Sequence, residues 1–270
     1  MQIQQIYTFS HLRNFSYLLI NSTQEALCID PFDADQIISL IESEGLTLKA
    51  IINTHEHFDH YCGNAGLISE FNCEVWAHEN AKGKIPGVTR YLKASEEINF
   101  GENSYLKVMD TPGHTFAHLC LLAVKEQRPY AVFTGDTLFN AGVGNCHNGG
   151  DPEVLYETIS QQFQGLADDV WVYPGHDYLE NNLKFTLNCE PDNLMAKEIL
   201  ESRSDMIDEQ KDQDFLVTSM KVEREVNTFL RLESEGLRKE LLSNSSLALD
   251  QTGLTNKQVF LTLRSLRNKW

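Results

Sequence analysis

The chain is expected to fold as an α+β protein, with β-sheets packed on each other, helices outside them, and a helical C-terminal part. Three features predict this. In the first two-thirds of the 270 residues, short β-rich runs and helical patterns interleave across hairpin-length gaps. From about Tyr178 onward the pattern turns helical, with charged residues dense between Glu198 and Glu240. Several β-rich runs also end in loops rich in His and Asp.

Taken in order, strands are expected over residues 3–9, 15–20, 26–29 and 49–52, then 73–77, 105–109, 118–124, 130–133 and 170–173, where β-branched, aromatic and apolar residues cluster. Helices are expected over 33–44, 60–71 and 152–163, the last opened by Asp151 as cap and Pro152 at the first helical position. Asn244-Ser245-Ser246 reads as a loop. Thr255 then caps a final helix with Val259, Phe260, Leu263 and Leu266 on its apolar side. A boundary near residue 177 divides the chain into a 1–177 domain and a helical 178–270 domain.

Composition excludes several classes of partner. With 22 basic and 39 acidic residues the formal charge is −17, which argues against nucleic acid and anionic membranes, since both need a cationic face. Most of that charge is expected to solvate the surface. No apolar run is long enough to span a bilayer, and the N-terminal residues lack the pattern of a signal peptide, so a cytoplasmic setting is expected. The six scattered cysteines, with no Cys-x-x-Cys pair, read as reduced thiols. Cys62, beside the histidine cluster, is expected to be a small partly buried residue rather than a ligand.

The chemistry concentrates at Thr54-His55-Glu56-His57-Phe58-Asp59-His60, directly after Ala50-Ile51-Ile52. Imidazoles and carboxylates at this density are the groups that hold borderline transition metals. Three later segments repeat one arrangement, a β-rich stretch followed by a ligand-type residue directly after a glycine: Gly113-His114, Gly135-Asp136 and Gly175-His176. Glycine lets the backbone turn sharply at a strand end.

With these segments in view, the chain resembles the metallo-β-lactamase superfamily and, more narrowly, the hydroxyacylglutathione hydrolase (glyoxalase II) family. The resemblance runs nearly end to end, through residues 54–60, 111–115, 134–142, 174–178 and 180–185. It implies an αββα sandwich holding metal between the strand ends. It also implies a first metal at His55, His57 and His114, a second at Asp59, His60 and His176, and Asp136 bridging the two. Asp59 and Asp136 are thereby the candidate catalytic carboxylates. The related persulfide dioxygenases use one iron and a smaller ligand set. His11, His78, His118 and His147 are left over and default to structural roles.

Two divalent cations about 3.5–4 Å apart bind water between them and lower its pKa towards neutrality, giving a bridging hydroxide nucleophile. A thioester suits such attack, because a thiolate with a pKa of about 8.5 leaves without a strong general acid. In the family, the substrate is S-lactoylglutathione and the products are lactate and glutathione. His/Asp cages without cysteine accept zinc, iron or manganese, with zinc the expected ion.

The resemblance also implies the substrate contacts. Tyr178 matches a tyrosine that touches glutathione in the family, and Arg264 and Arg267 match a pair of cations gripping its glycyl carboxylate. After Asp250 the chain carries Lys257, Arg264, Arg267 and Lys269 and no acidic residue, a local cationic patch. The loop after Asp136 departs from the family: Asn145 stands where a lysine is expected and His147 where a tyrosine is. Losing that lysine removes a charge-assisted hydrogen bond worth about 1.5–3 kcal/mol. A hydrolase of another acyl thioester or ester, and a non-catalytic metal-binding relative, therefore stay open as alternatives.

Overall fold

The computed structural model describes residues 1–207, 215–244 and 253–270. Two six-stranded sheets stack face to face. The first contains β1 (Gln2–Tyr7), β2 (Phe15–Ile20), β3 (Glu25–Ile29), β4 (Thr47–Asn53), β5 (Glu74–His78) and β6 (Arg90–Leu92), in chain order across the sheet. The second is built from β7 (Glu97–Asn99), β8 (Ser104–Asp110), β9 (Leu119–Lys125) and β10 (Arg128–Gly135), with a small hairpin, β11 (Leu138–Phe139) and β12 (Gly142–Val143), lying apart. Beyond β10 the second sheet continues through β13 (Trp171–Pro174) to β14 (Thr218–Ser219).

Side chains alternate across each strand, and the alternation makes the layers. Phe15, Tyr17 and Leu19 of β2 and Leu119, Leu121 and Ala123 of β9 meet in the core between the sheets. Leu18 and Ile20 face outward to helix α1 (Ala34–Ser43), packing with Ile37 and Ile41. Cys120, Leu122 and Val124 face the other way, into a core shared with α3 (Pro152–Thr158) and the later helices. The expected αββα sandwich is therefore present, because strands buried on both faces require a cover on each side.

The predicted helix at 60–71 is shorter: α2 spans Asn64–Phe71, after a 3-10 turn at Phe58–His60. The break falls at Tyr61, whose backbone leaves the helical region, and at Gly63, which donates its N–H to Pro31 O at 2.9 Å instead of to the preceding turn. The helix expected at 152–163 is present, passing from α3 into a π-helical turn at Ile159–Phe163.

The later part contains α4 (Leu179–Cys189), α5 (Leu194–Ile207), α6 (Met220–Val226), α7 (Glu235–Asn244) and α8 (Asn256–Arg267). It also contributes β14 to the second sheet, where it pairs with β13. Of the expected loop, Ser245 and Ser246 lie outside the described residues, while Asn244 closes α7. Thr255 caps α8 as expected, with a reciprocal contact from Gln258. Val259, Phe260 and Leu263 are buried there, but Leu266 is 40% exposed and lies off the apolar face. The short strands β6, β7, β11, β12 and β14 went unanticipated, being two or three residues long.

Candidate metal centre

The cluster sits where strand ends deliver loops to one edge of the sandwich. β4 leads into His55–His60, β8 into His114, β10 into Asp136 and β13 into His176. Three overlapping groups have ligand atoms within 4.8 Å of one another: His55 with His57 and His114, His55 with His60 and Asp136, and Asp59 with His60 and His176. All seven side chains singled out from the sequence as metal ligands thus converge.

Each imidazole has one nitrogen tied outward. His55 Nδ1 is 3.0 Å from Thr54 Oγ1, whose own proton is committed to Asp30 at 2.6 Å. His60 Nδ1 meets the other side of the network at Asp30 Oδ2, 2.8 Å away. Backbone carbonyls take the remaining three: His57 Nε2 is 3.0 Å from Asn148 O, His114 Nδ1 is 2.6 Å from Asn145 O, and His176 Nδ1 is 2.8 Å from Leu12 O. An outward nitrogen facing an acceptor carries a proton, so the inward nitrogen is the one left to bind a cation. Those inward nitrogens crowd together, with His57 Nδ1 at 3.1 Å from His55 Nε2 and 3.0 Å from His114 Nε2, and His60 Nε2 at 3.3 Å from His176 Nε2.

Asp136 lies between the groups. Its Oδ1 is 3.3 Å from His60 Nε2 and 3.2 Å from His176 Nε2, while its Oδ2 is 3.4 Å from His114 Nε2. Oδ1 is buried and accepts no hydrogen bond. A buried carboxylate oxygen without a hydrogen bond, ringed by imidazole nitrogens, calls for a cation, so this donor set fits divalent metal. Burial opposes ionisation of Asp136, yet His176, His60 and His114 hold its carboxyl well below the usual range. Burial also pushes His55 and His114 down, keeping both neutral as ligands must be.

Four supporting residues carry no ligand pattern and were missed or left aside. Asp30, at the end of β3, accepts from Thr54 N–H at 2.7 Å as well as from Thr54 Oγ1 and His60. Its one visible signal was an acid ending an apolar strand before Pro31. Thr54 relays that carboxylate to His55, and Asn14 donates to Asp59 Oδ2 at 2.8 Å. His118 is fully buried, stacks on His55 at 4.9 Å, and its Nε2 accepts from the Asp136 backbone N–H at 3.1 Å. His78 pairs with Asp110, while His11 and His147 are exposed.

The substrate candidates separate. The Tyr178 ring stacks on His176 at 4.9 Å with its plane nearly parallel, and meets Phe139 edge-on. Arg264 is only 5% exposed and donates from Nη1 to Val143 O at 2.9 Å and Gly144 O at 3.0 Å. Burial, with Arg267 alongside, brings its pKa down to about 10. Arg267 donates to Asn182 Oδ1 at 3.1 Å. Asn145 and His147 are exposed, and Asn145 Oδ1 accepts from His147 N–H at 3.1 Å. The cationic patch is smaller than its sequence suggested, because Lys257 turns to Glu153 and Glu157 at 3.0 and 3.5 Å. Cys62 is half-buried with its thiol on Phe32 O, as expected of a filler.

Known proteins match this arrangement from end to end. The metallo-β-lactamase superfamily model matches residues 12–176, and the model for the hydroxyacylglutathione hydrolase C-terminus matches residues 177–270. Hydroxyacylglutathione hydrolase of Polaromonas sp. is 45% identical, and that of Nitrosococcus oceani 44% identical, each over the whole of both chains. The crystal structure of ETHE1 from Myxococcus xanthus superposes with a TM-score of 0.65 at 24% identity, covering 99% of this chain and 98% of that one, a likeness of fold. The chain belongs to the hydroxyacylglutathione hydrolase family within the metallo-β-lactamase superfamily.

Proposed function

We propose that this chain is a dinuclear metal-dependent thioester hydrolase acting on hydroxyacylglutathione, with S-lactoylglutathione the expected substrate. The observation that carries the reading is the convergence of five inward imidazole nitrogens on two carboxylates, each imidazole fixed by an outward hydrogen bond. His55, His57 and His114 would hold one cation, Asp59, His60 and His176 the other, and Asp136 would bridge them. Zinc is the expected ion, and iron or manganese also suits these ligands. When bound, such cations acidify water and polarise a carbonyl.

The chain's own groups supply the rest. Asp59 and Asp136 face the place where water would be activated, and Asp59 retains one carboxylate oxygen free of Asn14 to take up its proton. Water adds its oxygen to the thioester carbon, the carbon–sulfur bond breaks, and the electron pair leaves on sulfur as thiolate. In this reading residues 1–177 carry the metal and residues 178–270 recognise the thiol carrier. Tyr178 would flank the substrate beside His176, and Arg264 and Arg267 would attract the glycyl carboxylate. Asn145 and His147 would line the rim. A cytosolic setting is consistent with six free cysteines and a net charge of −17, which also suits a small-molecule partner better than nucleic acid or an anionic membrane. No helix among the described residues is long and apolar enough to cross a membrane.

Hydrolysis of S-lactoylglutathione is to be measured beside an acyl-CoA and a simple lactone, with metal content determined on the same sample. The glutathione thioester is expected to turn over fastest, with two metal equivalents per chain. Turnover of the CoA thioester alone overturns the glutathione assignment and favours the altered loop at Asn145 and His147 as the mark of another acyl carrier. Arg267→Ala is expected to raise KM for the glutathione thioester roughly ten-fold or more, the loss of a charge-assisted contact. An unchanged KM removes Arg267 from the substrate site.

A further inference from the structure

Two loops supply three of the five outward imidazole hydrogen bonds, those of His57, His114 and His176, and each loop is fastened to a different part of the chain. The first runs through residues 143–148. Its Asn145 and Asn148 carbonyls accept from His114 Nδ1 and His57 Nε2 at 2.6 and 3.0 Å. It is packed directly on Asp136, since a Cβ on Gly144 would lie 1.9 Å from the Asp136 carbonyl oxygen. What fixes its height over the histidines is Arg264 of α8, whose Nη1 joins the Val143 and Gly144 carbonyls, one residue before Asn145. A guanidinium buried this deeply and bonded to two carbonyls is a rigid clamp.

The second loop runs through residues 10–14. Its Leu12 carbonyl accepts from His176 Nδ1 at 2.8 Å, and Asn14 Nδ2 donates to Asp59 Oδ2 at 2.8 Å. Asn14 is 1% exposed and is itself held by Ser10, whose hydroxyl donates to Asn14 Oδ1 at 2.7 Å. Arg13 fastens the loop to Asp177, through the side-chain ion pair and the Asp177 carbonyl.

We propose that, beside Asp30, which serves His55 and His60 in both halves, each half of the centre has a brace of its own, with Arg264 the positioning residue behind His57 and His114, and Asn14 the positioning residue beside Asp59 and His176. This rests on the dinuclear reading above and deepens it. Hydrogen bonds of this kind set which nitrogen of a histidine is free and where a carboxylate points, and losing one weakens metal affinity without removing a ligand. Arg264 thereby makes the C-terminal helix part of the metal site's support, whether or not substrate is bound.

The test uses the full-length zinc-loaded protein without substrate, comparing wild type with Asn14→Ala, Arg264→Gln and the double variant. Zinc content is measured first, then release to a chelator over time, and anomalous scattering at the zinc edge from crystals identifies the half that has emptied. Each single variant is expected to release one equivalent roughly ten- to hundred-fold faster while the other keeps its wild-type rate. Asn14→Ala should empty the His60/His176 half, Arg264→Gln the His55/His57/His114 half, and the double variant both. Arg264→Lys, which keeps a cation near the carbonyls, should recover part of the loss and serves if Arg264→Gln does not fold. Wild-type release rates in the variants, or equal acceleration of both equivalents by either one, overturn the proposal while leaving the dinuclear reading intact. A wild-type protein holding fewer than two equivalents overturns the dinuclear reading and this proposal with it.

Discussion

At the scale of single residues, Asp136 presents its two oxygens to different imidazoles, and no other carboxylate in the cluster does so. Asp136→Ala is accordingly expected to lose metal and activity together, read by elemental analysis on the purified variant. Retention of two equivalents would falsify its bridging role. His60 behaves differently from its neighbours. Burial favours the neutral ring, but Asp136, Asp30 and Asp59 outweigh it and raise the pKa of the metal-free side chain to about 10. A histidine raised in the folded state stabilises fully below its unfolded pKa of about 6.5, and that contribution is lost as pH climbs through about 10. Binding zinc to the apoprotein at pH 7 must therefore displace this proton. About one proton per chain is expected to appear, visible as a binding heat that depends on buffer ionisation. A heat that is the same in all buffers contradicts the assignment.

At the scale of elements, the centre depends on strand ends that turn within one residue. Gly175 closes β13 against the centre, and a Cβ there would lie 2.5 Å from Asp136 Oδ1, 2.8 Å from His60 Cε1 and 3.2 Å from the Gly135 carbonyl carbon. Neither the buried carboxylate nor the backbone can yield far. Gly175→Ala is expected to keep its circular dichroism spectrum and lose at least half of its metal, and full metal content in that variant counts against the packing argument. The same geometry explains why the predicted helix at 60–71 begins late. The turn at Phe58–His60 aims Asp59 and His60 at the centre, and Gly63 gives its N–H to Pro31 rather than to the turn before it.

At the scale of the whole molecule, the helical part is joined to the sandwich through a buried polar network. Glu223 of α6 accepts from the Ala141 backbone N–H and Asn227 Nδ2, both at 2.9 Å, and from the Thr218 hydroxyl at 2.5 Å, while Asn182 of α4 donates to Asn140 O at 2.9 Å. These bonds hold the hairpin β11–β12 that follows Asp136. Glu223→Ala leaves at least one backbone N–H buried without an acceptor, and an overall destabilisation on the order of 3 kcal/mol is expected. For a chain of this size that lowers the melting temperature by roughly 6–12 °C. A shift under a degree or two, measured by calorimetry on the metal-loaded protein, refutes the role given to this network.

The sequence by itself determined the long strands, the helices with clear caps, and the identity of the seven converging donors. Each of these is written locally, in alternation, in capping residues, or in histidines and aspartates following strand ends. Leu266 and Lys257 mark where local pattern stopped being informative: periodicity placed Leu266 inside, yet it is exposed, and composition placed Lys257 in a cationic patch, yet Glu153 and Glu157 take it. Only the tertiary structure brought Asp30 and Asn14 to the centre and turned Arg264 onto the Val143 and Gly144 carbonyls. Those contacts join residues about 24 to 121 positions apart and use common side chains in no recurring spacing, so no local pattern could announce them. Ligands are legible because their chemistry is rare, whereas the groups that aim them become visible only once the sheets have stacked.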